Sequence, residues 1–425
     1  MDRRNFLRDL GVASTAWGAS RAPGAAHPTE SRSAAQNFSD VPAVSPGDLE
    51  AYFTEEKLRQ AIDTTVPLGG TKFEVVAYNF PSWHPSLVME KLFGKGWTEF
   101  ETLKNSRPLY PGHLFPKYPL WGYFNEAEPE WAEREIATAA HFGIDAWMID
   151  LYWHGGTMFY HEQLQNGFLK ARNRSKLKFA LMWANHHWKN VYPARSPREA
   201  ATLLPQLHSE ADALAAIDYC IEHYFHEPNY WRLGGLPVFA IFDVNLLLES
   251  FTPAQLKATL DKMRERAARA GLGGLHFQAS HVYGGHEAQL KALGFDSATM
   301  YHTFGWSYGE KPPGSRTPYG VAAVRSIEAW RETAAKVNVP FFPDCPVGWD
   351  DSPRFGVSAH MVSERSPDQY ERLLRAAQYF SAASTAQPKV IFLSAWNEWT
   401  EDHVLLPDTV FGYSYLEAVR RVFRA

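Results

Sequence analysis

Cysteine is nearly absent. Cys220 and Cys345 are the only two in 425 residues, far apart and inside apolar stretches, so the chain carries no disulfide framework and no Cys/His spacing for a structural zinc. Long hydrophobic runs are missing too: no stretch of 18 apolar residues occurs, which argues against a membrane span. Lys and Arg are scattered and the formal net charge is −5, a balance that offers nucleic acid no basic surface. No glycine-rich phosphate loop follows the first strand-like segment, so no nucleotide cofactor is expected. What the chain has in abundance is aromatic side chains, 14% of all residues with 15 tryptophans among them, within an apolar fraction of 45% that can fill a sizeable core.

The first 46 residues do not read as fold. Arg3-Arg4-Asn5-Phe6-Leu7 is a twin-arginine pattern, followed by a weak apolar stretch from Leu10 to Ala19 and small residues near Gly24. From Ser20 to Pro46 the composition is Ala, Ser and Pro, that of a flexible lead-in. Residues 1–46 are therefore expected to be an export signal with its lead-in, and residues 47–425 a single catalytic domain placed in the periplasm or secreted. Twin-arginine export carries folded protein, so both cysteines are expected as buried, reduced thiols.

Along the folding part, short apolar segments alternate with helical periodicity. Strands are expected at Glu74–Phe80, Ile144–Leu151, Phe179–Ala184, Pro237–Phe242, Leu275–Ser280, Ser297–Tyr301, Val339–Pro343 and Val390–Ala395. Helices are expected at Glu128–Phe142, Pro197–Phe225, Pro253–Ala270, Glu287–Leu293, Val321–Lys336, Pro367–Ser384 and Tyr413–Phe423, with Gly143 as a C-terminal cap. Eight such strands separated by helices predict parallel pairing, and the count favours an α/β fold of the (β/α)8 TIM-barrel class with a long aromatic and glycine-rich loop, Pro81–Tyr123, after strand one. An open doubly wound sheet is the alternative.

In such a barrel the working face lies at the carboxyl ends of the strands. Strand one ends in Asn79 and then Trp83, strand two in Asp150, Tyr152 and Trp153, and strand three in Trp183, Asn185, His186 and Trp188. Strand four gives Asp243, strand five His281, and strand six Tyr301 and His302. Trp349 and Asp350 follow strand seven. The last strand runs into Trp396, Asn397, Glu398, Trp399 and Glu401. Trp and Tyr rings can stack on the C–H faces of pyranoses while Asn, His and Asp exchange hydrogen bonds with hydroxyls, so these residues are candidate contacts to a polysaccharide or oligosaccharide. Trp131, Trp147 and Trp330 fall in element interiors and read as core. If the chain turns helical after Glu398, then Glu398 and Glu401 lie at i and i+3 on one face, and paired carboxyl groups can share acid and base work on a glycosidic bond. His186 and His187 with Asp150 or Asp344 could hold a metal. Adjacent side chains at a strand end diverge, however, and no metal is expected.

Five motifs in order resemble one family. Gly94–Phe100 (GKGWTEF), Arg107–His113 (RPLYPGH), Trp183–Trp188 (WANHHW), Gly348–Arg354 (GWDDSPR) and Ala395–Glu401 (AWNEWTE) are similar to those of WbsX-type proteins, which are akin to glycoside hydrolase family 99. The resemblance runs from about Phe73 to the C-terminus. It implies a (β/α)8 barrel and a retaining endo-acting α-mannosidase or mannanase chemistry in which Glu398 and Glu401 match a Glu-x-x-Glu pair. Glu398 would act as base on the sugar 2-hydroxyl, giving a 1,2-anhydro intermediate, and Glu401 would protonate the leaving oxygen. A directly attacking Glu398 is the general alternative. The chain departs from the family pattern at His186-His187, where WANENW is common, and at Leu151-Tyr152-Trp153; both lie at the binding face, so the sugar is left open. Two other functions stay in play: glycosyl transfer, the label many WbsX relatives carry, and a non-catalytic glycan-binding barrel.

Overall fold

The computed structural model describes residues 67–192, 201–282, 284–305 and 314–424. The twin-arginine segment, the first four residues of the helix expected from Pro197, Tyr283 and Trp306 lie outside the described residues.

Eight strands form one curled parallel sheet: β1 (Phe73–Asn79), β2 (Ala146–His154), β3 (Lys178–Trp183), β4 (Leu236–Asp243), β5 (His276–His281), β6 (Ser297–Ala298), β7 (Asp344–Pro346) and β8 (Lys389–Ser394). Their order is β6-β5-β4-β3-β2-β1-β8-β7, with every link parallel. At the two ends of this order, the Ala298 N–H donates to Pro340 O and the Phe342 N–H to Ala298 O, each at 2.9 Å, in a parallel bridge. The strands are apolar because helices cover the outer face and side chains fill the inner one. Inside, the rings of Trp231, Phe392, Tyr78 and Tyr301 stand in sequence at centroid separations of 6.2, 5.3 and 5.0 Å, so the interior is packed rather than open. Trp147 and Trp330 are fully buried and Trp131 half-buried against Phe124, as core residues should be. Cys220 and Cys345 are buried free thiols.

The crossovers carry helices α1 (Pro129–Phe142), α2 (Glu210–His223), α3 (Pro253–Arg269), α4 (Leu290–Leu293), α5 (Tyr319–Lys336) and α6 (Pro367–Ala383), and α7 (Ser414–Phe423) follows the last strand. Local chemistry sets their ends. Thr252 and Gln255 form a reciprocal capping box ahead of Pro253, Ser209 and Ser366 accept from the backbone of Asp212 and Gln369, and Gly143 closes α1 at φ 93°. Between β2 and β3 the crossover is made of a π-helical turn, Gln163–Gly167, and a 3-10 turn, Phe168–Lys170. Glycine is required at 167, because a Cβ there would lie 2.1 Å from the Glu126 carbonyl oxygen.

Two expected elements differ. The helix expected over Pro197–Phe225 begins only at Glu210; Thr202–Leu204 is instead a short strand paired with Trp188–Lys189, and Pro205 ends it. The seventh strand, expected at Val339–Pro343, is Asp344–Pro346, because Pro340 and Pro343 have no N–H to give to a ladder.

The segment after β1 is held by His84. Its Nδ1 lies 3.2 Å from Glu126 Oε1 and its Nε2 3.2 Å from Glu162 Oε2, with the His84 and Glu126 side chains fully enclosed. Burial alone would lower its pKa, but hydrogen bonds to the two carboxylates outweigh that and raise it from 6.5 to about 9. A folded pKa above the unfolded one gives stability that is complete below pH 6.5 and lost as pH rises through about 9. His84→Gln should therefore lower the thermal midpoint more at about pH 6 than at about pH 10. Thermal melts of both proteins at the two pH values test this, and a difference that does not change with pH would contradict it.

Candidate active site

The site begins where β8 ends. The strand is buried throughout, and the next residue pairs, Asn397–Glu398 and His403–Val404, form an antiparallel ribbon around a single 3-10 turn, Trp399–Glu401. The turn is 3-10 and not the α-helix expected from the sequence; Glu398 is the extended residue that precedes it and Glu401 the last residue of it, and both side chains reach the same cavity. Asp402 ends the turn in the left-handed region at φ 53°, its carboxylate held by Lys117 Nζ at 2.9 Å and by Arg365. Asn397 ties this ribbon to β1: its Oδ1 accepts from the Phe80 N–H at 2.7 Å and its Nδ2 donates to the Phe80 carbonyl at 2.8 Å.

Glu398 and Glu401 line a cavity of about 520 Å³ at the carboxyl ends of the strands. Asp150 and Tyr152 of β2, His281 at the end of β5, His186 and His302 after β3 and β6, and the rings of Trp188, Tyr301 and Trp349 also face it. His281 stacks on Phe242 at 5.2 Å and His302 on Trp349 at 3.6 Å, forming flat walls suited to a sugar face. Burial lowers the pKa of His186, of His281 to about 4, and of His302, so these imidazoles are neutral hydrogen-bonding groups near pH 7.

The remaining candidates are placed elsewhere, and strand alternation accounts for most of them. On β3 and its extension, Met182, Ala184 and His186 face the cavity, so Trp183 and Asn185 point away. Trp183 packs against His208, and Asn185 joins β3 to β4 by exchanging two 2.8 Å hydrogen bonds with the Asp243 backbone. Asp243 itself caps the Asn245 N–H. Trp153, one residue beyond Tyr152, donates to Asp212 on the outer side. Trp396 packs on Trp147 and donates to Glu135, while Trp399 is fully buried, so neither indole is delivered to the cavity mouth as the sequence predicted. Asn79 and Trp83 are buried beneath the rim, against Gln163 and Phe100. Asp350 faces a neighbouring cavity, 2.6 Å from His113 Nε2, and Asp344 is enclosed inside the sheet with Ser394.

Both adjacent histidines line the cavity; His187 Nδ1 also accepts from the Gln206 N–H at 3.0 Å, and His186 Nδ1 lies 3.1 Å from the His187 carbonyl oxygen. Among the described residues, no group of three or more His, Cys, Asp or Glu stands close enough to hold a metal ion.

Sequence reading missed Arg354, Glu99, Tyr160 and Tyr192. Arg354 Nη1 contacts Glu401 Oε1, while its Nη2 lies 2.8 Å from Glu99 Oε1 and 3.5 Å from Glu398 Oε2. Glu99 is fully buried, with Ser82 Oγ donating to Oε2 at 2.7 Å and Thr400 Oγ1 donating to Oε1. Arg354 closes GWDDSPR and Glu99 sits near the end of GKGWTEF, two motifs noted above, but a single charge in a loop gives no sign that it folds inward. Burial raises the pKa of Glu398 well above the ordinary carboxyl value, helped by the Glu401 charge. Burial also raises that of Glu401, against the pull of Arg354.

The curled parallel sheet is shared with solved glycoside hydrolase structures. The GH99 endo-alpha-mannosidase from Bacteroides thetaiotaomicron superposes with a TM-score of 0.55 at 14% identity, covering 83% of this chain and 96% of that one. A structure described as a glycoside hydrolase-like protein gives 0.54 at 14% identity over 84% and 95%. Residues 75–419 match the family model described as Glycosyltransferase WbsX, and the chain belongs to that family. Among curated relatives, the uncharacterized protein WxcX of Xanthomonas campestris pv. campestris (strain B100) is 28% identical over 364 residues, 82% of this chain and 49% of that protein. A second strain's WxcX matches equally. The chain thus spans about half the length of the curated relatives it matches.

Asn397→Ala would orphan the N–H of buried Phe80, whose carbonyl keeps the Ser82 N–H at 3.2 Å. At roughly 1–3 kcal/mol for an unsatisfied buried group, the loss should be about 1–3 kcal/mol by chemical denaturation. A change under about 0.5 kcal/mol would show that the ribbon is anchored otherwise.

Proposed function

We propose that this chain is a glycoside hydrolase that cleaves a glycosidic bond in a polysaccharide or glycan with retention of configuration, using Glu398 and Glu401. The observation that carries this reading is the pairing itself: two carboxyl groups, one on the residue before a 3-10 turn and one on its last residue, contacted by one guanidinium, in a cavity walled by aromatic rings and neutral imidazoles. In this reading the Ala298 bridge to Pro340 and Phe342 closes the sheet into a (β/α)8 barrel. The twin-arginine start supports a position outside the cytoplasm.

In the proposed mechanism Glu398 takes the proton of the sugar 2-hydroxyl, whose oxygen attacks the anomeric carbon, while Glu401 protonates the departing glycosidic oxygen. Glu401 then removes a proton from the water that attacks the anomeric carbon of the 1,2-anhydro sugar, and Glu398 returns its proton to the 2-oxygen as that ring opens. Direct attack by Glu398 would use the same two groups. Either route needs one of the pair protonated near working pH, and burial together with mutual repulsion supplies that. The sugar and linkage are left open, although the fold shared with an endo-alpha-mannosidase makes α-mannosides the first substrates to try.

The family description favours a second reading, glycosyl transfer. A sugar-nucleotide donor is confined to the cytoplasm, which conflicts with the proposed export. It also calls for a phosphate-cradling loop, and none follows β1 in the sequence.

A glycan panel assayed for reducing-sugar release should yield a substrate, with Glu398→Gln and Glu401→Gln each at least about a hundredfold slower. Wild-type rates in both variants would end the assignment. Because both carboxyl groups are raised, the kcat/KM profile should be a bell with both limbs above the ordinary value of 4.5. An acidic limb below that value would contradict the electrostatics.

A further inference from the structure

Arg354 is in contact with both glutamates, and it cannot be explained as surface charge. Its side chain is 10% exposed, and it is carried by a four-residue helix, Ser352–Phe355, on the loop that follows β7. Burying a guanidinium is costly unless opposite charges surround it. Here three carboxyl groups from distant parts of the chain do so: Glu99, Glu398 and Glu401. Nearby lies the Tyr192 ring, its centroid 5.4 Å from the guanidinium carbon.

We propose that Arg354 is the positioning residue of the carboxyl pair: bolted to Glu99, its planar fork holds Glu398 and Glu401 toward one space and keeps negative charge between them. Glu99 is suited to be the bolt because it grips two things at once, Arg354 and Thr400. Thr400 lies between the two glutamates on the 3-10 turn, so one buried carboxylate fixes both the turn and the cation that spans it. Ser82, from the segment after β1, completes the shell around Glu99. A lysine could supply the charge but not the fork, since an ammonium is a point donor and the three carboxyl groups lie in different directions.

The groups that set the charge at this point come from every element around it. Glu398, Glu401 and Asp150 bear on the cavity side, and Glu99 and Asp351 lie behind. Tyr160, Tyr192, Tyr301 and His186 feel the Arg354 charge as well. Within this set, Arg354 favours the ionised forms of Glu398 and Glu401, whereas Glu99 disfavours them. The two partners of one ion pair therefore act on the reacting groups in opposite senses.

This role rests on reading Glu398 and Glu401 as the reacting pair, but its test does not need turnover. Carbodiimide labelling of the two glutamates, followed by peptide mass spectrometry across pH on the full chain, reads their protonation directly. Arg354→Ala should move the labelling midpoint up by about one unit or more, as loss of an opposite charge at this range does. Glu99→Gln should move it down, and Arg354→Lys should hold it near the wild-type value. Once a substrate is in hand, Arg354→Lys should still lower kcat by about a hundredfold, the cost of a displaced reacting group. Should Arg354→Ala fail to fold, the downward shift in Glu99→Gln decides the matter. Unmoved midpoints in the folded variants, or full kcat in the Arg354→Lys protein, would overturn the proposal. Undiminished turnover in Glu398→Gln and Glu401→Gln would instead remove the pair from the chemistry and leave the titration result standing.

Discussion

Everything at the carboxyl end of this sheet has to accommodate one constraint: several acidic groups are buried around a single guanidinium. Glu99, Glu398 and Glu401 contact Arg354 directly, and Asp351, pushed up to about 8 by burial with Glu401 and Asp350 nearby, stands just behind. Three full negative charges against one positive charge in a poorly solvated space would be too destabilising to keep, so protons must be retained. A core that only needed stability would have used apolar side chains. The arrangement makes sense where proton transfer is the task.

The fold supplies this arrangement with little freedom to err. Asn397 locks the ribbon to Phe80, Asn185 locks β3 to β4, and Asp350 donates its N–H to the Glu401 carbonyl at 2.6 Å, fixing the loop that carries Arg354 to the turn that carries the glutamates. Several polar residues at strand ends thus hold the rim in register and do not meet ligand. They set the geometry from one layer behind the cavity.

The sheet was legible because its signal is local: runs such as Val390–Ser394 and Phe179–Trp183 are apolar over the length of a buried strand, and helices such as α3 announce themselves by Thr252-Pro253 and the periodicity that follows. The glutamate pair was legible for the same reason, being three residues apart. What the sequence could not reveal was direction. Trp183 and Met182 are neighbours, yet the large ring turns outward and the smaller side chain lines the cavity, because the register of the sheet decides which parity faces in. Arg354 and Glu99 were missed because their meeting spans 255 positions and is set by loops alone. The seventh strand slipped by several residues because Pro340 and Pro343 have no N–H to give, so that segment makes only the single bridge to Ala298 and the continuous ladder begins at Asp344.

The most direct test of the central claim, that Glu398 and Glu401 act together on a glycosidic bond, is proton NMR of the anomeric signal of the first-formed product with a cleavable glycan. The account predicts that the sugar released by the wild-type chain carries the anomeric configuration of the bond that was cut, before mutarotation, and that no product forms on this timescale with Glu398→Gln. An inverted anomer, or the same product signal from the variant at the wild-type rate, would contradict it.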